Sequence, residues 1–195
     1  MKPLLENPLN LTEDDIFKPY SKEKFIQKRL KNCTKNSDGT YSSKGSVDLS
    51  DLGLTELPVK FKEVGGSFWC GYNKLTSLKG APRKVKGHFD CRYNHLTSLE
   101  GCPKEVAESF WCDYNKLTSL EGAPEKVGRG FYCRFNKLTS LEGCLRKVGG
   151  GFNCIHNKLT TLEGAPKYVG GDFYCNNNPL SPYKLKKTVK RSYLL

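Results

Sequence analysis

Phe68-Trp69-Cys70-Gly71-Tyr72-Asn73-Lys74-Leu75-Thr76-Ser77-Leu78 decides the fold, because the chain repeats it in outline until near its end. The opening phenylalanine returns as Phe89, Phe110, Phe131, Phe152 and Phe173, each 21 residues after the last. Cys70 and Asn73 return at the same step, ending at Cys175 and Asn178. A fixed period of this length on a Leu/Asn skeleton marks a solenoid of leucine-rich-repeat type, in which each coil buries a strip against its neighbours.

Position by position, the repeat reads as one coil. Phe-x-Cys alternates at period two, so Phe68 and Cys70 point inward while Trp69 and Gly71 point outward. Equivalent strands of successive coils are expected to stack into one parallel sheet. Asn73 ends the strand facing in, where its amide is expected to satisfy backbone groups of the turn. Leu75 and Leu78 fill the coil, Gly80 turns the chain, Pro82 stiffens the return and Val85 packs the far wall. One register earlier, Val47, Leu49, Leu54 and Leu57 stand in phase with Phe68, Cys70, Leu75 and Leu78, with Leu52 where later coils carry asparagine. The expected fold is therefore an α/β repeat, a leucine-rich-repeat solenoid of about seven 21-residue coils with one parallel sheet, the last coil truncated.

The flanks complete this architecture. Residues 1–46 are expected to form a loose arm and an N-terminal α/β cap. Within it, Thr12-Glu13-Asp14-Asp15 resembles a capping box for a helical turn through Phe17. Ser21 caps a helix to about Lys31, with Phe25, Ile26 and Leu30 on one face. Asn36-Ser37-Asp38-Gly39 is a turn signal between two short strand-like runs. Residues 47–180 are the solenoid, and residues 181–195 a basic C-terminal cap or tail.

Composition narrows the function. The 195 residues carry a net charge of +12 and a mean hydropathy of −0.58. By segment the charge is +3 over 1–46, +4 over 47–180 and +5 over 181–195. Glu6 and two prolines interrupt the first ten residues, so no signal peptide is expected there. No apolar run reaches membrane-spanning length, which leaves a cytosol as the expected location and no membrane as a partner. Of nine cysteines, six share one repeat column, while Cys102 and Cys144 alternate with alanine in another. Small, buried, reduced thiols fit that pattern better than a metal site, because zinc needs four ligands converging on a point. His88, His95 and His156 fall in different columns and build no catalytic set. The chain is read as a non-enzyme, with no cofactor.

Asn-Lys-Leu-Thr-Ser-Leu resembles the short bacterial leucine-rich repeats of secreted pathogen effectors. The glycine-paired form, Leu-Thr-Ser-Leu-Glu-Gly-Ala-Pro-x-x-Val-Gly-Gly-x-Phe-x-Cys, is similar to repeats of uncharacterised proteins of large tailed bacteriophages, as is Val47 to Pro58. The resemblance covers residues 47–180. It implies the solenoid fold and a phage protein at work in an infected bacterium, the host cytoplasm. Effector relatives often add a ubiquitin-ligase domain with a catalytic cysteine, and no such domain fits after Leu180.

Residues the repeat leaves free point to a surface. The outward columns hold Trp69, Trp111, Tyr132 and Tyr174, with Arg92 and Arg134 beside them and Tyr72, Tyr93 and Tyr114 in the next column. Aromatics with interleaved arginines suit a protein-interface hot spot, and the strand face of such solenoids is a concave binding surface. The Tyr72 column also reads as a stacked ladder that shields the sheet edge. The expected function is a non-enzymatic protein-binding module engaging a host protein, defence or regulatory, through this face. The alternatives are a virion or assembly component, and a nucleic-acid-associated protein using Lys184, Lys186, Lys187, Lys190 and Arg191. Lys74, Lys116, Lys137 and Lys158 are expected to form weak surface pairs with Glu100, Glu121, Glu142 and Glu163.

Overall fold

The structure is a computed structural model and describes residues 22–180. It is a β-solenoid with the 21-residue period that the repeat demands. Helix α1 (Lys22–Leu30) leads into a hairpin of β1 (Cys33–Lys35) and β2 (Tyr41–Ser43), antiparallel about the Asn36–Gly39 turn. The turn is closed locally: Asp38 accepts from the Thr40 N–H at 3.1 Å, and Asn36 Nδ2 donates to the Thr40 hydroxyl at 2.9 Å. Leu30 of α1 is buried with the solenoid core, and Arg29 pairs with Asp48 of the first coil. The Thr12–Phe17 turn and the basic tail from Lys184 lie outside the described residues.

Each coil contributes two short parallel strands. The first set is β3 (Val47–Asp48), β5 (Phe68–Trp69), β7 (Phe89–Asp90), β9 (Phe110–Trp111), β11 (Phe131–Tyr132), β13 (Phe152–Asn153) and β15 (Phe173–Tyr174). These pair in sequence order into a seven-stranded sheet, called here the Phe sheet. The second set is β4 (Phe61–Val64), β6 (Lys84–Val85), β8 (Glu105–Val106), β10 (Lys126–Val127), β12 (Lys147–Val148) and β14 (Tyr168–Val169). With the hairpin they form an eight-stranded sheet, the Val sheet, in which β2 runs parallel to β4. A single sheet was expected, and the structure corrects this. The Val85 column is itself a strand, two residues being enough once coil stacking supplies a partner on either side.

The inward set is the one the repeat predicts. Phe68, Phe89, Phe110, Phe131 and Phe152 are fully buried, as are Leu75, Leu78 and their repeats through Leu159. The phenylalanine rings stack along the axis at centroid spacings of 5.0–5.6 Å. Each fully buried side chain of this size contributes about 1.5–3 kcal/mol, so each coil gains most of its stability from its neighbours rather than from itself.

Asparagines tie the coils together. Asn115 Nδ2 donates to the carbonyls of Cys91, Cys112 and Asp113 at 3.0–3.2 Å, and its Oδ1 accepts from the Leu96 N–H at 3.0 Å. The same set recurs from Asn94 to Asn178, while Asn73 accepts from both Leu52 and Leu54 N–H. Where the coil turns after the second leucine, Gly122 has φ +81°, and a Cβ there would crowd the backbone of Glu100. Four other glycines repeat this left-handed turn.

Candidate functional site

The outward face of the Phe sheet holds every residue of the expected binding set. Its first feature is backbone conformation. Tyr72, Tyr93, Tyr114, Phe135 and His156 all have φ between 52° and 54°. Left-handed backbone costs a non-glycine residue about 1–2 kcal/mol, and Asp51 and Asn177, at the ends of the column, are the types that tolerate it best. Two gains offset the strain. The conformation keeps each N–H bonded to the next coil, as in Tyr72 N–H to Arg92 O at 2.8 Å and Tyr114 N–H to Arg134 O at 2.9 Å. It also brings the rings face to face, with centroids 4.5, 4.2, 4.4 and 4.3 Å apart from Tyr72 to His156. Such pairs contribute about 0.5–1.5 kcal/mol each beyond burial. The column is thus a stacked ladder, one of its two sequence readings. It is also exposed: Tyr72 is 52% and Tyr93 38% accessible. Its rings present edges, not faces, to solvent.

The neighbouring columns differ from expectation in their charges. Asp113 is wholly buried and Asp90 nearly so, although both alternate outward. Arg92 grips Asp90 with Nε and a terminal nitrogen at 2.7–3.1 Å. Arg134 Nε and N–H both donate to Asp113 Oδ1, at 3.0 and 2.8 Å. These bonds hold both guanidinium groups above their ordinary pKa. Gly71 leaves room for this, since its missing side chain would sit 3.2 Å from Asp90 Oδ1. The two arginines are therefore not free contacts. They neutralise carboxylates that the strand tucks under the surface, a role that column reading missed because it treats each column separately.

Three of the large aromatics, Trp69, Trp111 and Tyr132, are half-buried. Trp111 lies against His88 (4.7 Å) and Tyr132 (6.2 Å), with the Arg92 guanidinium 5.4 Å from its ring centroid. His88 Nδ1 accepts from the Ser109 N–H at 3.1 Å, which puts a neutral ring's proton on Nε2. Tyr132 folds its ring over Gly130, where any Cβ would collide with it. Tyr174 is exposed and donates its hydroxyl to Asp172, which raises its pKa. Trp69 is half-buried on the same face.

The cysteine column offers no reactive group. All its thiols are free, and burial pushes those of Cys70, Cys91, Cys112, Cys133 and Cys154 well above the ordinary value. Cys102 is pushed up to about 12 for the same reason. Several donate weakly to carbonyls, Cys112 Sγ to Tyr132 O at 3.3 Å among them. On the loop edge, the expected pairs do not form: among the described residues no ion pair joins Lys74, Lys116, Lys137 or Lys158 to a glutamate. The chain matches no family model and no curated protein.

Proposed function

We propose that the chain is a non-enzymatic binding module that holds a protein partner on the outward face of the Phe sheet. The observation that carries this reading is preorganisation. The aromatics of the face are already clamped, by ring stacking at 4.2–4.5 Å along the Tyr72 ladder and by Arg92, His88 and Tyr132 around Trp111. A surface fixed before binding loses little side-chain entropy on association. Seven strands at about 4.8 Å give a strip on the order of 30 Å long, enough for a standard interface of roughly 800 Å² per partner. Its charge favours protein over nucleic acid, since Asp48, Asp51, Asp90, Asp113 and Asp172 outnumber Arg92 and Arg134. The repeat's likeness to those of phage proteins makes a host bacterial protein the partner, with the infected cell's cytosol as the setting.

A photo-crosslinking amino acid tests this. Placed at Tyr132 or Tyr174 and irradiated in bacterial lysate, it should give a discrete adduct, whereas at Lys137 or Glu142 on the loop edge it should not. With the partner isolated, Trp111→Ala should weaken binding by about 2 kcal/mol, the usual loss for a central anchor. Adducts from the loop edge alone, or undiminished affinity in Trp111→Ala, would place the site elsewhere.

A further inference from the structure

Charge is sorted by face in this solenoid, and the Val sheet receives the positive share. One of its outward columns reads Lys62, Arg83, Lys104, Glu125, Arg146, Lys167, all exposed. Backbone bonds stack this column directly, Arg83 N–H to Lys62 O at 2.9 Å and Lys167 N–H to Arg146 O at 2.8 Å among them. The next reads Glu63, Lys84, Glu105, Lys126, Lys147, Tyr168, and Lys86 and Arg129 stand just beyond it with Glu108. The face thus carries ten cations against four carboxylates, while the loop edge has six lysines and five glutamates. The solenoid's net charge of +4 hides a face of +6 opposite one of −3.

Three of the four carboxylates on this face are already used. Glu105 bridges Lys84 and Lys126 at 2.8 and 3.7 Å, Glu125 pairs with Lys104 at 3.2 Å, and Glu108 pairs with Arg129 at 2.5 Å. Arg83, Lys86, Arg146 and Lys167 have no ion pair among the described residues, and the Lys147 ammonium lies 5.0 Å from the Tyr168 ring centroid. A concavity of about 520 Å³ continues the face toward the hairpin, lined by Lys44, Lys62, Lys84 and Lys86.

We propose that the outward face of the Val sheet binds duplex nucleic acid through its phosphates, independently of base sequence. Charge complementarity over an extended strip selects a polyanion: from β4 to β14 the cations recur at about 4.8 Å per coil over about 24 Å. A duplex presents one phosphate charge per 1.7 Å or so of axis along that length. The form of the nucleic acid follows from what the face lacks. Single strands are held by bases stacked on aromatic side chains, and Tyr168 is the one aromatic that the outward columns carry, already engaged by Lys147. The array of exposed cations reaches a sugar–phosphate backbone, and among the described residues no strand or helix projects from it into a groove.

The test uses the full chain, a fluorescein-labelled 24-base-pair duplex of mixed sequence, and anisotropy titrations across salt. With Arg83, Lys86, Arg146, Lys167 and Lys147 as five phosphate contacts, log K should fall against log salt with a slope of about −4.5, roughly a 500-fold loss between 50 and 200 mM. Arg146→Gln, Lys147→Gln and Lys167→Gln together should flatten the slope to about −2. Lys116→Gln, Lys137→Gln and Lys158→Gln on the loop edge should leave it unchanged. A full-length variant with Lys184, Lys186, Lys187, Lys190 and Arg191 all replaced by glutamine should keep the face-dependent slope. The proposal is overturned if the Val-sheet triple leaves the slope unaltered or if the tail variant alone abolishes binding. Tighter binding of the matching single strand, of polyglutamate or of phosphatidylglycerol vesicles than of the duplex also overturns it.

Discussion

Asn115→Ala removes one side chain and tests the load each asparagine carries in the coil. Four hydrogen bonds disappear, but their partners are not equally harmed. The Cys91 carbonyl still receives Asn94 Nδ2 at 3.1 Å, the Cys112 carbonyl still receives Asn136 Nδ2 at 3.1 Å, and Asp113 O keeps the Tyr93 N–H at 3.2 Å. The Leu96 N–H, whose bond to Asn115 Oδ1 is buried, is left without its acceptor. An orphaned buried amide costs about 1–3 kcal/mol, and each lost net hydrogen bond about 0.5–1.5 kcal/mol where the carbonyl stays paired. The expected loss is roughly 3 kcal/mol, read from urea unfolding monitored by far-UV circular dichroism. Asn176→Ala, on the exposed face, should cost under about 0.5 kcal/mol. Asn115→Asp sharpens the test. A carboxylate there faces three carbonyl oxygens and a single N–H donor, so its folded pKa is raised. Its stability should be greatest below the ordinary aspartate pKa and be lost as pH rises through the folded value. A loss under 1 kcal/mol in Asn115→Ala, or an Asn115→Asp protein that is more stable at pH 7 than at pH 4, would refute this account of the ladder.

Two further outcomes follow from buried charge. The raised pKa values of Cys70, Cys91, Cys112 and Cys133 mean that thiol burial supports the fold fully below pH 9, the ordinary thiol value. That support is lost as pH rises from there toward the folded values, at about 1.4 kcal/mol per thiol by pH 10. Cys112→Ala should therefore reduce the drop in unfolding free energy between pH 8 and pH 10, and native protein should resist thiol reagents that label it fully in urea; stability that stays flat to pH 10 would contradict this. Arg134→Ala leaves the wholly buried Asp113 with only a backbone donor. It should destabilise by about 2 kcal/mol, softened by the exposure of the arginine, and Asp113→Asn in the same chain should recover most of the loss in thermal melts. Additive losses in the double variant would show that the pair is not coupled.

The sequence by itself determined the coil. A 21-residue period can place Phe68, Cys70, Leu75 and Leu78 on one wall only by stacking, and Asn73 is the residue whose short amide serves donors and acceptors of two coils at once. The hairpin was legible for the same local reason, since Asn36-Ser37-Asp38-Gly39 closes its own turn. Tertiary structure decided the rest. The second sheet rests on strands two residues long, which have no propensity signal and exist because neighbouring coils complete their ladder. The left-handed Tyr72 column was illegible because its strain is intrinsic to each residue, whereas the ring stacking that offsets it arises between coils. The burial of Asp90 beneath Arg92 relies on the space at Gly71, and that of Asp113 beneath Arg134 on a cross-coil contact that no single column encodes. Charge followed the same division. The sequence fixes a net +4 across the solenoid, but only the path of the chain around its axis separates a face of +6 from one of −3.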